Sequence, residues 1–479
     1  MKRIFLISCG WLLMMPVMAQ QLFNVRDHGA KGDGVTNDAA AIQQTIDACY
    51  KAGGGTVLFP APGVYLSGPF ELRSDINLHL PANAKLQASP DEKLYRKSAF
   101  RKNPGEGTIW IGGEHIENFS ISGQGEIDGN GIAFMGRELE DSYELKPFDS
   151  LDPRPHLLTI VGGRNIRIHD LRIGNSAYWT IHLVGCDDVV IKGITLLNSL
   201  KVHNSDGIDL DHSKNVRISD CYIESGDDCI CLKNRREYDE FGNCENITVS
   251  NCTMTSRSCA IKIGSENVDT IRQVLFNNCI IKKSNRGVGI QNRDEGVVSD
   301  VIFSNMIIES HLFSDVWWGK AEPIYVTAFR RANINHRDAN WRFPPGATEG
   351  RVGIVKNIFF TNIKCISENG VFVSAESADK LSNIVFDNVD LLIDKITTLP
   401  GGIYDRRPSK VEGFVKGNTS GFYLENAMSV TIRNSSVQWG MQRPSYYSHV
   451  LWSKNVKELV SQNLKGNAAF PSKKTMVKF

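Results

Sequence analysis

Three aspartates stand in two short polar segments of this 479-residue chain, Asn204-Ser205-Asp206 and Gly226-Asp227-Asp228. Carboxylates held close together repel one another, so the pKa of at least one of them should rise. A protonated acid beside an ionised base is the pair that cleavage of a glycosidic bond requires. The same residues could instead form a solvated acidic cluster or a calcium site, because carboxylate oxygens also bind that ion.

The elements that position these acids are predicted by a repeated nine-residue phrase. Each copy begins with Asn, Asp or a similar polar residue and continues with alternating apolar residues, a pattern typical of a β-strand. Several copies are 23 to 31 residues apart, which indicates a solenoid. We therefore predict a right-handed parallel β-helix with about three short strands per turn and turns ~4.8 Å apart. The copies start at Asn165, Asp188, Asn215, Asn246, Gln273, Asp300, Asn357, Asn383 and Ser429.

A second strand precedes each phrase and can be aligned between successive turns. The aligned interior residues are Ile181, Ile208, Ile230, Ile261 and Val288. A polar column lies just before them and contains Asp206, then Asp227 and Asp228, then Ser258 and Cys259. Because these positions stack on adjacent turns, the three carboxylates should converge on one face of the solenoid.

The seventh position of the first eight phrases predicts an interior ladder. Its residues are Leu171, Ile194, Cys221, Cys252, Cys279, Met306, Ile363 and Val389. The three cysteines are accordingly interpreted as packed thiols rather than disulfides or metal ligands, although export would permit disulfides. The spacing of Cys and His is not that of a zinc site, so no metal is expected.

The N-terminal segment 1–19 has the features of a signal peptide. Lys2 and Arg3 precede an apolar run from Ile4 to Val17, and Val17-Met18-Ala19 resembles a cleavage site. We expect an exported protein, periplasmic or secreted, with no membrane segment in its mature form. A net charge of +1 argues against nucleic-acid binding.

Residues 20–479 are predicted to form one β-helix domain and a monomer. An N-terminal cap spans about 20–65 and contains a helix from Ala39 to Tyr50, with Thr36 or Asn37 as its N-cap. Three insertions, at about 128–156, 309–356 and 392–428, break the repeat and should form loops around the binding face. The middle insertion carries Trp317, Trp318 and Arg330, which could stack on and pair with a sugar, or could simply pack with one another.

The two aspartate segments resemble the N-T-D and G-D-D motifs of glycoside hydrolase family 28, the polygalacturonase family. The opening FNVRDHGAKGDGVTNDAAAIQQTIDAC is similar to the start of its bacterial members, and the resemblance covers most of residues 22–440. It implies inverting hydrolysis of a pectic oligo- or polysaccharide without a cofactor. Asp227 would be the general acid, and Asp206 and Asp228 would hold and deprotonate the water.

Two further motifs of the family are changed. Its G-H-G is Ser258-Cys259-Ala260 here, and its R-I-K is Gly289-Ile290-Gln291. The family's usual cations for a galacturonate carboxylate are therefore missing. Replacement contacts are predicted from neighbouring positions, so both an acidic sugar held differently and a neutral or branched sugar stay open. The predicted substrate contacts on these turns are Asn204, Lys233, Lys262, Gln291 and Arg293.

The stereochemistry and the mode of action are less direct predictions. Stacked turns could place Asp206 and Asp227 closer than the ~6.5–9.5 Å usual for inversion, so inversion follows from the resemblance alone. Insertions around one end of a groove favour exo-action on short oligosaccharides. A calcium-dependent polysaccharide lyase and a non-catalytic glycan-binding β-helix are the alternatives.

Overall fold

A computed structural model describes residues 21–96, 108–138, 145–147, 154–313, 319–331, 351–409 and 413–479. The predicted signal peptide and the predicted sugar contacts Trp317 and Trp318 lie outside the described residues. Within the described ranges, no helix is both long and apolar enough to cross a membrane.

The predicted right-handed parallel β-helix is confirmed. Strands of successive turns pair in parallel and build three sheets, here called sheets A, B and C. Sheet A comprises Phe70–Glu71, Thr108–Glu114, Pro155–Val161, Ile181–Val184, Ile208–Asp211, Ile230–Asn234, Cys259–Asn267, Arg286–Asn292, Ile324–Ala328, Val371–Ala375, Met476–Lys478 and the first halves of Phe422–Arg433 and Leu451–Gln462.

Sheets B and C contain the repeated phrases, and several long strands pass from one sheet into the other. Sheet B comprises Leu22–Asn24, Gly55–Leu58, Ile76–Leu80, Glu117–Gly123, Arg164–His169, Asp187–Lys192, Lys214–Ser219, Cys244–Ser250 and Thr270–Asn277. Sheet C comprises Asp33–Asn37, Gly63–Ser67, Ala84–Ala88, Glu126–Asp128, Arg172–Gly174, Thr195–Leu197, Tyr222–Ser225, Thr253–Ser256, Ile280–Ser284 and Ser436–Trp439. The strands Val297–Ser310, Ile354–Ser367 and Leu381–Ile393 continue through both sheets.

The register of sheet A agrees with the sequence alignment. Ile208 pairs with Ile230, Ile230 with Ile261, and Ile261 with Val288, and all four are fully buried. Their apolar side chains stack along the axis of the solenoid, so the intervening residues of each strand face outward. This alternation fixes which side chains reach the site.

The polar residue that begins each phrase occupies a corner between sheets. Asn215 and Asn246 have φ of 54° and 59°, a left-handed conformation that Asn and Asp tolerate better than other L-residues. Their side chains also form a ladder, because Asn246 Nδ2 donates to Asn215 Oδ1 at 3.1 Å. A second corner ladder follows the same rule, with Asn278 Nδ2 donating to Asn251 Oδ1 at 2.8 Å. The repeat therefore reflects corner geometry as well as strand alternation.

The solenoid interior contains ladders of like residues. Phe276, Phe303, Phe360 and Phe386 stack with centroid distances of 5.2, 5.0 and 5.1 Å. The predicted thiol ladder is also present: Cys221, Cys252 and Cys279 are buried, and all ten cysteines in the described ranges are free. The packed-thiol interpretation is thus confirmed for this part of the chain.

One α-helix, Ala39–Lys51, covers the N-terminal end of the solenoid among the described residues. It buries Ile42, Ile46 and Cys49, as a capping helix should. The predicted N-cap was wrong, because the helix begins after Asp38. The Asp38 carboxylate instead accepts hydrogen bonds from the backbone N–H groups of Lys31 and Gly32 at 2.7 and 2.9 Å. Short 3-10 helices span Val25–His28, Glu92–Arg96, Gly131–Phe134, Arg236–Phe241 and Ala378–Lys380.

Two of the predicted insertions contain parts of the solenoid itself. Segment 309–356 includes Ile324–Ala328, a strand of sheet A, and segment 392–428 runs into the strand that begins at Phe422. The repeat phrase marks only sheets B and C, so it could not reveal these sheet A strands. The antiparallel strands Ile403–Asp405 and Phe414–Lys416 form a hairpin, hereafter the capping hairpin. Segment 128–156 contains the antiparallel strands Met135–Glu138 and Leu145–Pro147.

Candidate active site

Asp206, Asp227 and Asp228 meet on sheet A, just before the strands Ile208–Asp211 and Ile230–Asn234. All three are buried, and one carboxylate oxygen from each lies within 4.8 Å of the other two. The glycine before Asp227 is required by close packing, because a Cβ on Gly226 would lie 2.0 Å from the carbonyl oxygen of Val202. The sequence motif therefore has both a chemical part and a steric part.

Crowding and burial keep a proton in this cluster. Burial, reinforced by the charge of Asp228, raises the pKa of Asp227 to about 7. The pKa of Asp206 also rises well above its usual value, mainly through burial and then through the charge of Asp227. Asp206 Oδ1 has no hydrogen-bond partner in the described part of the chain. The site thus combines two carboxyl groups that burial and crowding hold in the protonated form with a third acid, Asp228, that faces donors.

Asp228 is surrounded by donors. Lys262 Nζ lies 2.8 Å from Asp228 Oδ2, and Asp228 Oδ1 accepts from Ser258 Oγ at 3.1 Å and from the Cys259 N–H at 3.2 Å. Charge-assisted hydrogen bonds of this kind favour a negative carboxylate. Burial opposes the charge of Lys262, but Asp228 and the other nearby anions raise the pKa of its ammonium above the usual value. The residues Ser258 and Cys259, which replace the family's third motif, therefore hold a carboxylate.

Lys233 lies on the neighbouring part of the same face but pairs with a different acid. Its Nζ is 2.9 Å from Asp209 Oδ1 and 3.8 Å from the centroid of the Trp179 ring. Burial raises the pKa of Asp209, against the attraction of Lys233 and His182. Lys233 is only 4% exposed, so its charge is largely balanced within the protein.

Sequence reasoning missed an aromatic and histidine cluster beside the acids. The ring centroids of His156 and Tyr178 are 4.7 Å apart, and those of Trp179 and His182 are 4.8 Å apart. Arg154 lies 4.6 Å over the Tyr178 ring. The outward positions between the aligned interior residues could have revealed part of this cluster. Read in register, those positions are Thr159, His182, Asp209, Cys231, Lys262 and Gly289.

Asn204 contacts the acids through its backbone. Its N–H lies 3.3 Å from Asp227 Oδ2, while its side-chain oxygen accepts from Arg154 Nη2 at 3.1 Å. Asn204 has a φ of 54°, in the left-handed region. Its side chain is therefore tied to Arg154, and its main chain helps to position Asp227.

Three other predicted substrate contacts have structural partners. Arg293 is fully buried and donates to Thr327 Oγ1, the Tyr325 hydroxyl and the Arg406 carbonyl at 3.0, 3.1 and 3.0 Å. Gln291 Nε2 donates to the Arg407 carbonyl at 2.6 Å, and Arg330 Nη2 lies 2.6 Å from Glu376 Oε1. The structure does not bring these three groups to the carboxylates, and Arg293 would have to leave its buried partners to contact substrate.

A different cation occupies the region of the changed fourth motif. Arg286 pairs with Glu322, with Nε 3.2 Å from Glu322 Oε2, and its guanidinium lies 3.7 Å from the centroid of the Tyr325 ring. A Cβ at Gly289 would lie 3.1 Å from Arg286 Cδ and 2.9 Å from Cys259 Sγ. The glycine thus makes room for an arginine from three residues earlier in the chain.

The capping hairpin closes sheet A beyond the acids. The Tyr325 hydroxyl donates to the Asp405 carbonyl at 2.7 Å, next to the contacts that Gln291 and Arg293 make with the same segment. Tyr325 lies on the third strand after Ile230–Asn234, which corresponds to about 14 Å along the solenoid at ~4.8 Å per turn. The site therefore has a wall on its C-terminal side.

A β-helix with crowded aspartates on one sheet is the architecture of polygalacturonase-type glycoside hydrolases. The sequence model of "Glycosyl hydrolases family 28" matches residues 49–314, more than half of the chain. The protein belongs to this family.

Curated relatives agree with the assignment. A "Probable polygalacturonase" of Vitis vinifera is 31% identical over 265 residues, covering 52% of this chain and 52% of its own length. A "Probable endo-xylogalacturonan hydrolase A" of Neosartorya fischeri is 31% identical over 256 residues, covering 51% of this chain and 56% of its own length. The chain thus spans about half the length of the curated relatives that it matches.

Solved structures show the same fold over almost the whole chain. An exopolygalacturonase from Thermotoga maritima aligns with a TM-score of 0.58 and 18% identity, covering 94% of this chain and 92% of its own. A family 28 exopolygalacturonase from Yersinia enterocolitica aligns with a TM-score of 0.60 and 19% identity, covering 96% and 78%. At this identity the likeness concerns the fold alone.

Proposed function

We propose that this protein is an exo-acting, inverting glycoside hydrolase of pectic oligosaccharides or related glycans. The observation that carries the proposal is the carboxylate cluster on sheet A. It contains one group, Asp227, whose pKa of about 7 keeps it protonated beside two further acids. General acid–base catalysis is most effective when the pKa of the acid is near the working pH.

In the proposed reaction, Asp227 donates its proton to the glycosidic oxygen as the bond from that oxygen to the anomeric carbon breaks. Asp206 and Asp228 hold a water molecule, whose oxygen forms the new bond to the anomeric carbon. Asp228 accepts the proton that the water loses. Before this step the donors around Asp228, above all Lys262, favour its negatively charged form.

Inversion is supported by family membership rather than by distance. Carboxyl groups of inverting enzymes are usually ~6.5–9.5 Å apart, and those of retaining enzymes ~5–5.5 Å. The close approach of the three carboxylates, with oxygens within 4.8 Å, is nearer to the second geometry. Proton NMR of the first-formed anomer tests the proposal: an inverted product supports it, and a retained configuration overturns it.

Exo-action is supported by the wall that the capping hairpin builds across sheet A. A polysaccharide that continued in both directions along the face would meet the segment that contacts Gln291, Arg293 and Tyr325. Under the proposal, a chain end enters the site and products are released one small unit at a time. A random mixture of chain lengths early in the digestion of a polymer would contradict it.

The substrate class is supported by the names of the relatives, which include a "Probable polygalacturonase" and a "Probable endo-xylogalacturonan hydrolase A". The experiment is digestion of oligogalacturonides by residues 20–479, with Asp227→Asn as the control and products resolved by chromatography. Release of galacturonate supports an acidic sugar. Release only from branched or rhamnose-containing fragments would show that the changed motifs have moved the specificity to those glycans.

A calcium-dependent lyase is the second candidate, because three carboxylate oxygens within 4.8 Å could bind a cation. The ammonium of Lys262 already contacts Asp228 Oδ2, which disfavours that arrangement. A lyase would form an unsaturated product that absorbs ultraviolet light, and chelation would stop it. A hydrolase forms no such product.

We also propose that the protein is exported after removal of residues 1–19, and that residues 20–479 act as one domain and a monomer. The apolar N-terminal run and its small-residue cleavage site support export. N-terminal sequencing of the native protein should begin at Gln20. Size-exclusion chromatography with light scattering should give the mass of a single chain.

A further inference from the structure

A cavity lies against the capping hairpin, on the side away from the carboxylates. It has a volume of about 120 Å³, room for several water molecules. The hairpin forms one part of its lining and sheet A the other. The lining residues are Gly402, Tyr404, Val415, Lys416, Gly417, Asn418, Tyr423 and Trp452. This cavity is called the hairpin pocket below.

The hairpin pocket shares an outward column of sheet A with the active site but is separated from it. From Lys262 the column continues through Gly289, Tyr325, Phe372 and Tyr423 to Trp452. Trp452 is five turns from Lys262, or about 24 Å at ~4.8 Å per turn. The hairpin segment that contacts Tyr325 lies between the two, so the pocket is not a continuation of the catalytic cleft.

Aromatic rings supply the apolar part of the pocket. Tyr423 and Trp452 are stacked with centroids 4.2 Å apart, and the Tyr404 ring lies 5.1 Å from that of Tyr423. Tyr404 is fixed by its hydroxyl, which lies 3.3 Å from the carbonyl oxygen of Ser420. Held rings of this kind offer an apolar surface to the C–H groups of a pyranose ring.

Polar groups at the rim supply the rest of a sugar-binding arrangement. Lys416 and Asn418 are exposed, and neither forms an ion pair or side-chain hydrogen bond with the described part of the chain. The same holds for the indole N–H of Trp452 and the hydroxyl of Tyr423. A ligand pocket typically joins an apolar lining to a few convergent polar groups that fix orientation.

We propose that the hairpin pocket is a second glycan-binding site, which holds a pyranose unit of an acidic oligosaccharide outside the active site. The C–H groups of the sugar pack on the exposed part of the Trp452 ring and on the edges of the Tyr404 and Tyr423 rings, and the carboxylate of the sugar pairs with Lys416. The choice of a uronate as ligand rests on the proposed function, whereas the pocket and its aromatic lining do not. A neutral pyranose is the competing occupant.

The test measures binding without turnover. Trigalacturonate is titrated by calorimetry into Asp227→Asn, and the same titration is made with Lys416→Ala or Trp452→Ala added to that background. Lys457→Ala is the matched control, because Lys457 is also an exposed lysine of the C-terminal turns but does not line the pocket. We expect one class of sites to weaken roughly tenfold in both pocket variants and to be unchanged in the control.

The outcomes separate this proposal from the proposed function. If Lys416→Ala, Trp452→Ala and Lys457→Ala bind trigalacturonate equally well, the hairpin pocket is not a glycan-binding site. This conclusion does not depend on the catalytic role of Asp227. Turnover that persists in Asp227→Asn overturns the proposed mechanism but leaves the pocket result intact. If Trp452→Ala weakens binding and Lys416→Ala does not, the proposal of an acidic ligand is wrong. The binding of galactotriose, a neutral trisaccharide, should then depend on Trp452 in the same way.

Discussion

At the residue scale, the proposed mechanism and the burial of Asp227 predict that both activity and stability depend on its protonation. Burial and the charge of Asp228 place its pKa at about 7, so the proton needed for general acid catalysis is lost as the pH rises past that value. We expect kcat/KM to fall on the alkaline side with a midpoint near 7. Initial rates across the pH range measure this, and a rate still level at about pH 9 would contradict it.

Replacement of the acid itself should remove most of the activity. Asp227→Asn keeps the size of the side chain but cannot donate the catalytic proton. General acid–base groups contribute roughly 10²–10⁴-fold to the rate, and we expect a loss of that order in kcat with a smaller change in KM. Asp188→Asn is the control, since Asp188 lies on sheet B beside Arg167 and Arg217, away from the cluster.

The same group links folding to pH. A carboxyl whose pKa is higher in the folded protein binds its proton more tightly there, so its favourable contribution is complete at low pH and is lost as the pH rises through about 7. Asp227→Asn should therefore increase the free energy of unfolding at about pH 8, by roughly 2–4 kcal/mol, and by much less at about pH 4. Denaturant unfolding at the two pH values measures the difference. Equal shifts at both would contradict the assignment.

Lys262 acts through the acids that it faces. Its charge pairs with Asp228 and lowers the pKa of Asp227, against the effect of burial. In Lys262→Met we expect kcat to fall and the alkaline midpoint of the pH profile to move to higher pH. A loss of activity without any movement of that midpoint would assign Lys262 a purely structural role, and Lys457→Met is the exposed control.

At the scale of the elements, like side chains stacked on successive turns hold the coil together. Phe303 is fully buried between Phe276 and Phe360, with the rings nearly parallel. Phe303→Ala should lower the free energy of unfolding by about 3–5 kcal/mol, because it leaves a cavity inside the ladder. Its neighbour Ile302 points outward and is 42% exposed, so Ile302→Ala is the matched control and should change stability far less.

The sequence was sufficient to predict the strand repeat, the interior register and the convergence of the three aspartates. Those features depend on alternation and on stacking of equivalent positions, which are local and periodic. The capping hairpin was not predictable in the same way. Its contact with Gln291 joins residues 116 positions apart, and no periodic pattern marks it. The position of Arg286 beside Gly289 could not be predicted from the repeat either, because it depends on the space left by a missing Cβ.

At the scale of the whole molecule, the cysteines are packing residues. The ten described cysteines are free and buried, and burial raises the pKa of the thiols of Cys186 and Cys229 to about 12. We expect the native protein, without residues 1–19, to be inert to a thiol reagent and all ten cysteines to react after unfolding without reductant. If the number of reactive cysteines in the unfolded protein falls short of ten by two, four or more, the missing cysteines form disulfides.

The wall formed by the capping hairpin would also set the order in which products leave. Under the proposed exo-action, the detached sugar sits at the blind end and the shortened chain lies between it and solvent. The shortened chain must therefore depart first, and the enzyme cannot advance along one chain through successive cuts. All the chains in a mixture would therefore shorten at the same time. The detached sugar would be the last product to leave, so it would compete directly with incoming substrate for the site.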